Sequence, residues 1–199
     1  MLGVALGFGV LAGLNLYLTV FVTGLALKLQ WLTLAEKYSE LQVLENPWII
    51  GIAGILFLIE TFADKIPWVD SAWDLLHTAI RPIGGVLLAL AALGELENGV
   101  GVIAALLCGG SALFSHTAKA GTRAVANLSP EPLSNIALST TEDALVLGGL
   151  SLMAFAPEIA LFVFLPLLFI AMFISWKTFI YVRKTWQKLR KKKHDAMQD

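Results

Sequence analysis

Long apolar runs alternate with shorter polar stretches along the whole chain. An apolar run of roughly 20 residues crosses a bilayer as a helix. The pattern therefore predicts an all-α, polytopic helical membrane protein. Its six predicted membrane segments are residues 2–27, 48–63, 82–93, 99–118, 144–156 and 159–181. The last of these is apolar almost throughout, which favours a peripheral, lipid-facing helix.

Two of these segments, 82–93 and 144–156, are too short to cross a hydrocarbon core of about 30 Å alone. Each contains a glycine pair, in RPIGGVLLALAAL and in ALVLGGLSLMAFA. The pattern predicts two pseudo-repeated helical hairpins whose short, Gly-containing second arms either re-enter the membrane or rely on the preceding helix. Short Gly-interrupted segments at matching positions of two halves indicate a transport site.

The polar stretches predict further elements. Residues 28–47 carry leucines at helical spacing among three glutamates, which is typical of an amphipathic helix on the membrane surface. Residues 70–80 resemble a short amphipathic helix that ends at Arg81-Pro82. Residues 128–140, rich in Pro and Ser, predict a loop, with Thr140 or Thr141 capping the next helix. Glu95 and Glu97 predict an acidic turn.

Composition supports the membrane assignment. Hydrophobic residues make up 57% of the chain and charged residues 15%, whereas soluble domains carry about 25% charged residues. We expect a single helical membrane domain at residues 1–182 and a basic cytoplasmic tail at 183–199. The first run lacks a basic leader, so it is predicted as a true span. The single cysteine, Cys108, excludes an internal disulfide and a cysteine metal site, and no cofactor is predicted.

Charge is distributed unevenly. Residues 176–199 hold eight Lys/Arg and two acidic residues (+6), and the remainder holds six and thirteen (−7), which gives the net −1. The positive-inside rule then predicts a multi-pass protein of the cell inner membrane with both termini cytoplasmic. A juxtamembrane basic cluster is normally a topology signal, so no nucleic-acid partner is expected. The expected partners are membrane lipids and an anionic lipid or small-ion substrate. A second copy of the chain, in a homo-oligomer, is a further candidate partner.

The segment FLIETFADKIPWVDSAWDLLHTAIRPIGG (57–85) concentrates ionisable residues between two apolar runs. Such residues near a bilayer interior are costly and mark substrate or ion pathways by default. We predict that this segment forms one wall of a polar cavity. The candidate cavity residues are Asn15, Glu60, Asp64, Lys65, Asp74, His77, Arg81, His116, Lys119, Arg123, Glu142 and Asp143.

Glu60 is the deepest of these in an apolar run. Lys65 is one residue past the i+4 position and near the surface, so Lys119 or Arg123 is the expected partner. Alternatively, Glu60 carries protons. Asn15 lies within the first span, where a buried amide needs partners.

Several roles stay open for this set. In the purely structural interpretation, these residues form inner-surface salt bridges that hold the two hairpins together. In a first functional hypothesis, Arg81, Lys119 and Arg123 bind an anion such as a phosphate or lipid headgroup, while Glu60 and Asp64 take up protons.

In a second hypothesis, Glu60, Asp64, Asp143 and backbone carbonyls bind a cation in exchange for protons. ETFADK loosely resembles the E-x-G-D-K motif of divalent-cation/proton exchangers, with one extra residue and without its Gly. An enzyme is a third class, with His77 and His116 as acid/base groups. However, the chain lacks GxSxG, HExxH and a cysteine nucleophile, so an enzyme is the less favoured class.

The segments GLNLYLTVFVTGLA, ETFADKIPWVDSAWDLLHTAIRPIGG, SHTAKAGTRAVAN and STTEDALV together carry a family resemblance. The chain resembles a bacterial family of small integral membrane proteins grouped as a domain of unknown function. The resemblance implies a compact helical membrane domain and no particular activity. The hairpins are also similar in architecture to lipid-carrier flippases, an analogy of fold only. The sequence thus predicts a small transporter or lipid flippase with a charged, cytoplasm-facing cavity. An exchanger or channel, and a structural protein or membrane enzyme, are the alternatives.

Overall fold

The computed structural model describes residues 2–31, 36–94, 98–126 and 132–195, and all regular structure within them is helical. The elements are α1 (Leu2–Lys28), a 3-10 helix (Glu36–Glu45), α2 (Pro47–Ala63), α3 (Pro67–Leu93), α4 (Asn98–Ala126), α5 (Pro132–Phe155) and α6 (Ala160–Asp195). Five helices are long and apolar enough to cross a membrane, and α2 is a shorter apolar helix. The predicted polytopic helical membrane protein is therefore confirmed.

Helix α1 lies at the centre, where α2, α3, α4, α5 and α6 all pack against it. Glycines allow this close approach, because a small residue lets two helix backbones come together. A Cβ atom at Gly3 would lie 2.5 Å from the backbone nitrogen of Leu161, and one at Gly9 would lie 2.8 Å from the carbonyl oxygen of Cys108. The glycines of the first span thus set how closely α4 and α6 pack on α1.

The two glycine-pair segments are parts of longer helices, which agrees with the alternative in which each relies on the preceding helix and not with separate short arms. Helix α3 runs unbroken through Pro82, so the predicted helix at 70–80 and the span at 82–93 are one helix. In a membrane bundle, neighbouring groups can satisfy the backbone that a proline frees, so Pro82 does not end the helix. The feature on which the internal repeat rested is missing, and the repeat is unconfirmed.

Helix α5 likewise begins at Pro132, upstream of its predicted start, and includes most of the predicted loop. Proline suits the first position of a helix. The hydroxyls of Thr140 and Thr141 donate to the carbonyls of Ile136 and Ala137, each at 2.8 Å, instead of capping a helix end. Such back-bonding lets threonine lie inside a helix.

The segment at 28–47, predicted as a surface α-helix, has a different structure in its described residues. It contains the 3-10 helix, whose Leu41 and Leu44 are buried in the core cluster around α1. Residues three apart face the same side of a 3-10 helix, which brings these two leucines onto α1 together. Leu32, Leu34 and the Glu95/Glu97 turn lie outside the described residues.

Helix α6 is mostly exposed, as predicted for a lipid-facing span, although Phe164 and Ala171 are buried. It continues as one helix to Asp195, through most of the predicted tail. Lysine and arginine are good helix formers, so the basic sequence extends the helix.

Candidate functional site

Helix α1 is interrupted at Asn15, whose backbone is non-helical (φ −151°, ψ 97°). The side-chain Oδ1 of Asn15 accepts the N–H of Leu18 at 2.9 Å, which is the contact of an N-cap residue. In a continuous helix, that N–H would bond to the carbonyl of Leu14. Asn15 therefore caps the second half of α1 and frees carbonyls at the end of the first half.

Cationic side chains from two other helices satisfy these freed carbonyls. Arg81 of α3 donates to the carbonyl oxygens of Gly13 and Leu14 at 2.7 and 3.0 Å. Lys119 of α4 also donates to that of Leu14, at 3.0 Å. The amide nitrogen of Asn15 donates to Asp143 Oδ1 of α5 at 3.0 Å. The interruption thus joins α1 to three neighbouring helices.

We expect Asn15→Ala to lower the free energy of unfolding by about 1–3 kcal/mol, because it removes a cap and leaves buried polar groups unpaired. Thermal unfolding in detergent would measure the loss. Asn15→Ser keeps a capping oxygen and should recover part of it. An Asn15→Ala protein as stable as the parent would contradict the capping role.

Glu60 is fully buried near the end of α2, and two cations contact its Oε1. Arg81 forms a hydrogen bond and ion pair with this oxygen, and Lys119 lies 3.1 Å from it. The predicted pairing with Lys119 is confirmed, while Arg81 was not anticipated as a partner. Glu60 therefore faces the protein interior.

Arg123 of α4 is held by three carboxylates. Its guanidinium lies 2.7 Å from Asp64, 2.7 Å from Asp70 and 2.6 Å from Glu142. Its Nε also donates to Glu142 Oε1 at 3.3 Å, so Glu142 is bound by two nitrogens of the fork. A bidentate arrangement of this kind is the geometry in which Arg recognises carboxylates and phosphates.

Lys119 connects the ion pairs of Glu60 with those of Arg123. Its Nζ lies 3.1 Å from Glu142 and 3.8 Å from Asp64, in addition to its contact with Glu60. We call the resulting set the charge cluster; it consists of Glu60, Asp64, Asp70, Arg81, Lys119, Arg123 and Glu142. It has four carboxylates and three cations, hence a formal charge of −1.

Burial of the charge cluster is nearly complete, with side-chain exposures between 0% and 11%. Desolvation of buried ions offsets much of their mutual attraction, so such a cluster is a poor explanation of stability by itself. Ionisable groups within membrane helices are by default associated with transport, relay or sensing. The charge cluster is therefore the candidate functional site.

His77 and His116, the two candidate histidines, lie beside the charge cluster and contact hydroxyl and carbonyl groups. His77 Nε2 is 2.9 Å from the Tyr17 hydroxyl, and its Nδ1 is 2.8 Å from the Trp73 carbonyl. His116 Nε2 is 2.9 Å from the carbonyl of Asp74. These contacts connect α3 to α1 and α4.

Lys65 does not join the site. Its side chain is exposed, and its Nζ lies 5.3 Å from the centre of the Phe62 ring. Lys65 therefore forms no ion pair with the neighbouring carboxylates among the described residues, which agrees with its expected position near the surface. A position at the connection between α2 and α3 explains this, since the long side chain can reach solvent there.

Asp70 was missed as a site residue, although it lies 2.7 Å from Arg123. The spacing of Asp70, Asp74, His77 and Arg81 is four, three and four, which places them on one face of a continuous helix. This signal was available in the sequence. It was not used because Asp70 is the first residue of the predicted helix at 70–80, where a carboxylate also suits the positive end of the helix dipole.

A cavity of about 560 Å³ adjoins the charge cluster between α1, α4, α5 and α6. Most of its wall is apolar, with Leu11, Leu145 and Phe164 among the lining side chains, while Lys119 and Glu142 lie at its polar end. A smaller cavity of about 260 Å³ lies between α1, the 3-10 helix and α5. Within the described residues, no group of three or more His, Cys, Asp or Glu could hold a metal ion.

A family model described as Domain of unknown function (DUF4126) matches residues 2–177. The chain therefore belongs to this family, which confirms the expected relationship to a family of unknown function. No curated protein and no solved structure matches the chain.

Proposed function

We propose that this protein is a small membrane transporter that binds an anionic group at Lys119 and Arg123. The observation that carries the proposal is the position of Glu142. Of the four carboxylates in the charge cluster, it is the one that lines the large cavity, and its side chain is the most exposed, at 11%. Glu142 thus occupies the place that a substrate carboxylate or phosphate would take.

The substrate anion binds by displacing the Glu142 carboxylate from Lys119 and Arg123. The carboxylate of Glu142 contacts Lys119 and Arg123 at once, through a geometry that suits any planar or tetrahedral oxyanion. An incoming anion that displaces it would raise the negative charge of a buried cluster. Uptake of one proton by Glu142 removes that excess, so we propose that anion binding is coupled to a proton.

The interruption of α1 also supports a transport role. Broken helices whose freed carbonyls face a buried site are characteristic of secondary transporters. Here the freed carbonyls of Gly13 and Leu14 contact Arg81 and Lys119. A helix interrupted at this point can change the angle between its halves by exchanging these contacts, without unfolding either half.

Reconstitution into liposomes tests the proposal. We expect proton-coupled movement of an organic anion or an anionic lipid across the bilayer, and loss of this movement in Lys119→Met. Glu142→Gln resembles the protonated carboxyl and should retain movement without the proton dependence. Lys65→Ala is the matched control on an exposed cation. Background rates for anions, cations and lipids alike, with folded protein, would refute a transport function.

Cation/proton exchange is the second candidate function. The observation that supports it is the excess of negative charge in the charge cluster. The carboxylates of the charge cluster outnumber its cations, and the buried Asp74 has no ion pair within 4 Å among the described residues. A cation bound there would neutralise the excess. Cation flux without anion or lipid movement in the same liposomes would select this candidate.

We further propose that the membrane is the cell inner membrane and that both termini are cytoplasmic. If α2 also crosses, the residues between α2 and α3 and those after α6 lie on the cytoplasmic side. Single cysteines at the exposed Lys65 and Lys184 should then be labelled from the cytoplasm, and one at Glu158 from outside. Labelling of Lys65 and Glu158 positions from the same side would contradict this topology.

A further inference from the structure

We infer that the cavity between α1, α4, α5 and α6 binds the apolar chain of an anionic amphiphile, such as a fatty acid or an acidic phospholipid. This inference rests on the proposed function and names its substrate class. The volume of about 560 Å³ lies within the range of about 300–1,000 Å³ that small-molecule sites occupy. The long apolar wall distinguishes the site from one built for a small hydrated anion.

The polar end of the cavity offers the contacts that an anionic head needs. Lys119 supplies a cation there. The hydroxyl of Ser115, whose residue is 1% exposed, also lines this end and has no hydrogen-bond partner within the described part of the chain. Buried hydroxyls are usually bonded, so Ser115 is available to a ligand oxygen.

The cavity opens sideways between α5 and α6. Leu145 of α5 and Ile170 of α6 both line it, and both are about half exposed, at 48% and 55%. These two helices face the hydrocarbon region of a membrane, where water is scarce. A ligand that enters by this route must be compatible with lipid chains, which an amphiphile is and a free inorganic anion is not.

Gly148 provides a way to fill the cavity without disturbing the fold. It lines the cavity, and a Cβ atom added there would meet no other atom within 4 Å. Gly148→Leu therefore places a side chain in the ligand space. Gly51 of α2 is the matched control, because it is a helical glycine with equally open surroundings but lies away from the cavity.

Photolabelling tests the inference. The protein is reconstituted in phosphatidylcholine liposomes with photoactivatable palmitate or photoactivatable phosphatidic acid, and the labelled peptides are mapped. We expect label on α5 and α6 residues that line the cavity. Labelling should fall about tenfold in Gly148→Leu, the order expected for added bulk in a packed site, and stay unchanged in Gly51→Leu. Excess oleate should compete, whereas acetate and inorganic phosphate should not.

The outcomes separate the inference from the proposed function. Label spread evenly over the lipid-exposed helices, with no effect of Gly148→Leu, would overturn the inference. Flux of acetate or phosphate that Gly148→Leu leaves unchanged would do so too, while leaving the transport proposal intact. Specific labelling together with background transport would keep the amphiphile site and remove the transport function. The two probes also distinguish a carboxylate head from a phosphate head.

Discussion

Arg123→Ala is expected to lower the free energy of unfolding by about 3–5 kcal/mol, the range for removing one partner of a buried ion pair. Arg123 contacts Asp64, Asp70 and Glu142, each within 2.7 Å. Its removal changes the formal charge of the charge cluster from −1 to −2. Asp64 and Glu142 then keep Lys119 within 4 Å among the described residues, while Asp70 loses its ion pair with Arg123.

Thermal unfolding in detergent would measure this effect. A loss of that size lowers Tm by roughly 6–20 °C for a protein of this length. Arg123→Lys keeps the charge but not the fork, so its loss should be smaller. Combining Arg123→Met with Glu142→Leu removes one charge of each sign and should recover part of the stability. Equal Tm values for Arg123→Ala and the surface variant Lys65→Ala would contradict the buried charge cluster.

The helical membrane architecture and much of the site were predictable because they depend on local spacing. Glu60 and Asp64 are four residues apart, and so are Ser115, Lys119 and Arg123, which puts each group on one helix face. A carboxylate in an apolar run needs a cationic partner. Lys119 and Arg123, on the helix face of the second group, were the cations available. The Glu60–Lys119 pair therefore followed from local pattern and charge balance.

The interruption of α1 could not be predicted in the same way. Helix breaks usually occur at proline or paired small residues, and the sequence around Asn15 has neither directly beside it. The break depends on Arg81, Lys119 and Asp143, which lie 66 to 128 residues away along the chain. Only the folded arrangement brings these donors and acceptors together.

Glu60 and Glu142 should respond differently to neutralisation, although either change brings the formal charge of the cluster from −1 to 0. Glu60 is fully buried and is the only carboxylate on Arg81 among the described residues. Glu142 shares Lys119 and Arg123 with Asp64, and it lines the cavity. Loss of the Glu60 charge therefore isolates a buried cation, whereas loss of the Glu142 charge does not.

We accordingly expect Glu60→Gln to lower the free energy of unfolding by about 3 kcal/mol, the lower end for a broken buried pair, because glutamine keeps the shape and one acceptor. Glu142→Gln should cost less than about 1 kcal/mol. Denaturation in detergent measures both, and proton-coupled transport is then compared per folded molecule. We expect the coupling to survive in Glu60→Gln and to disappear in Glu142→Gln. The reverse result, a stable Glu60→Gln protein without proton coupling, would make Glu60 the proton carrier and would leave Glu142 with only a structural role.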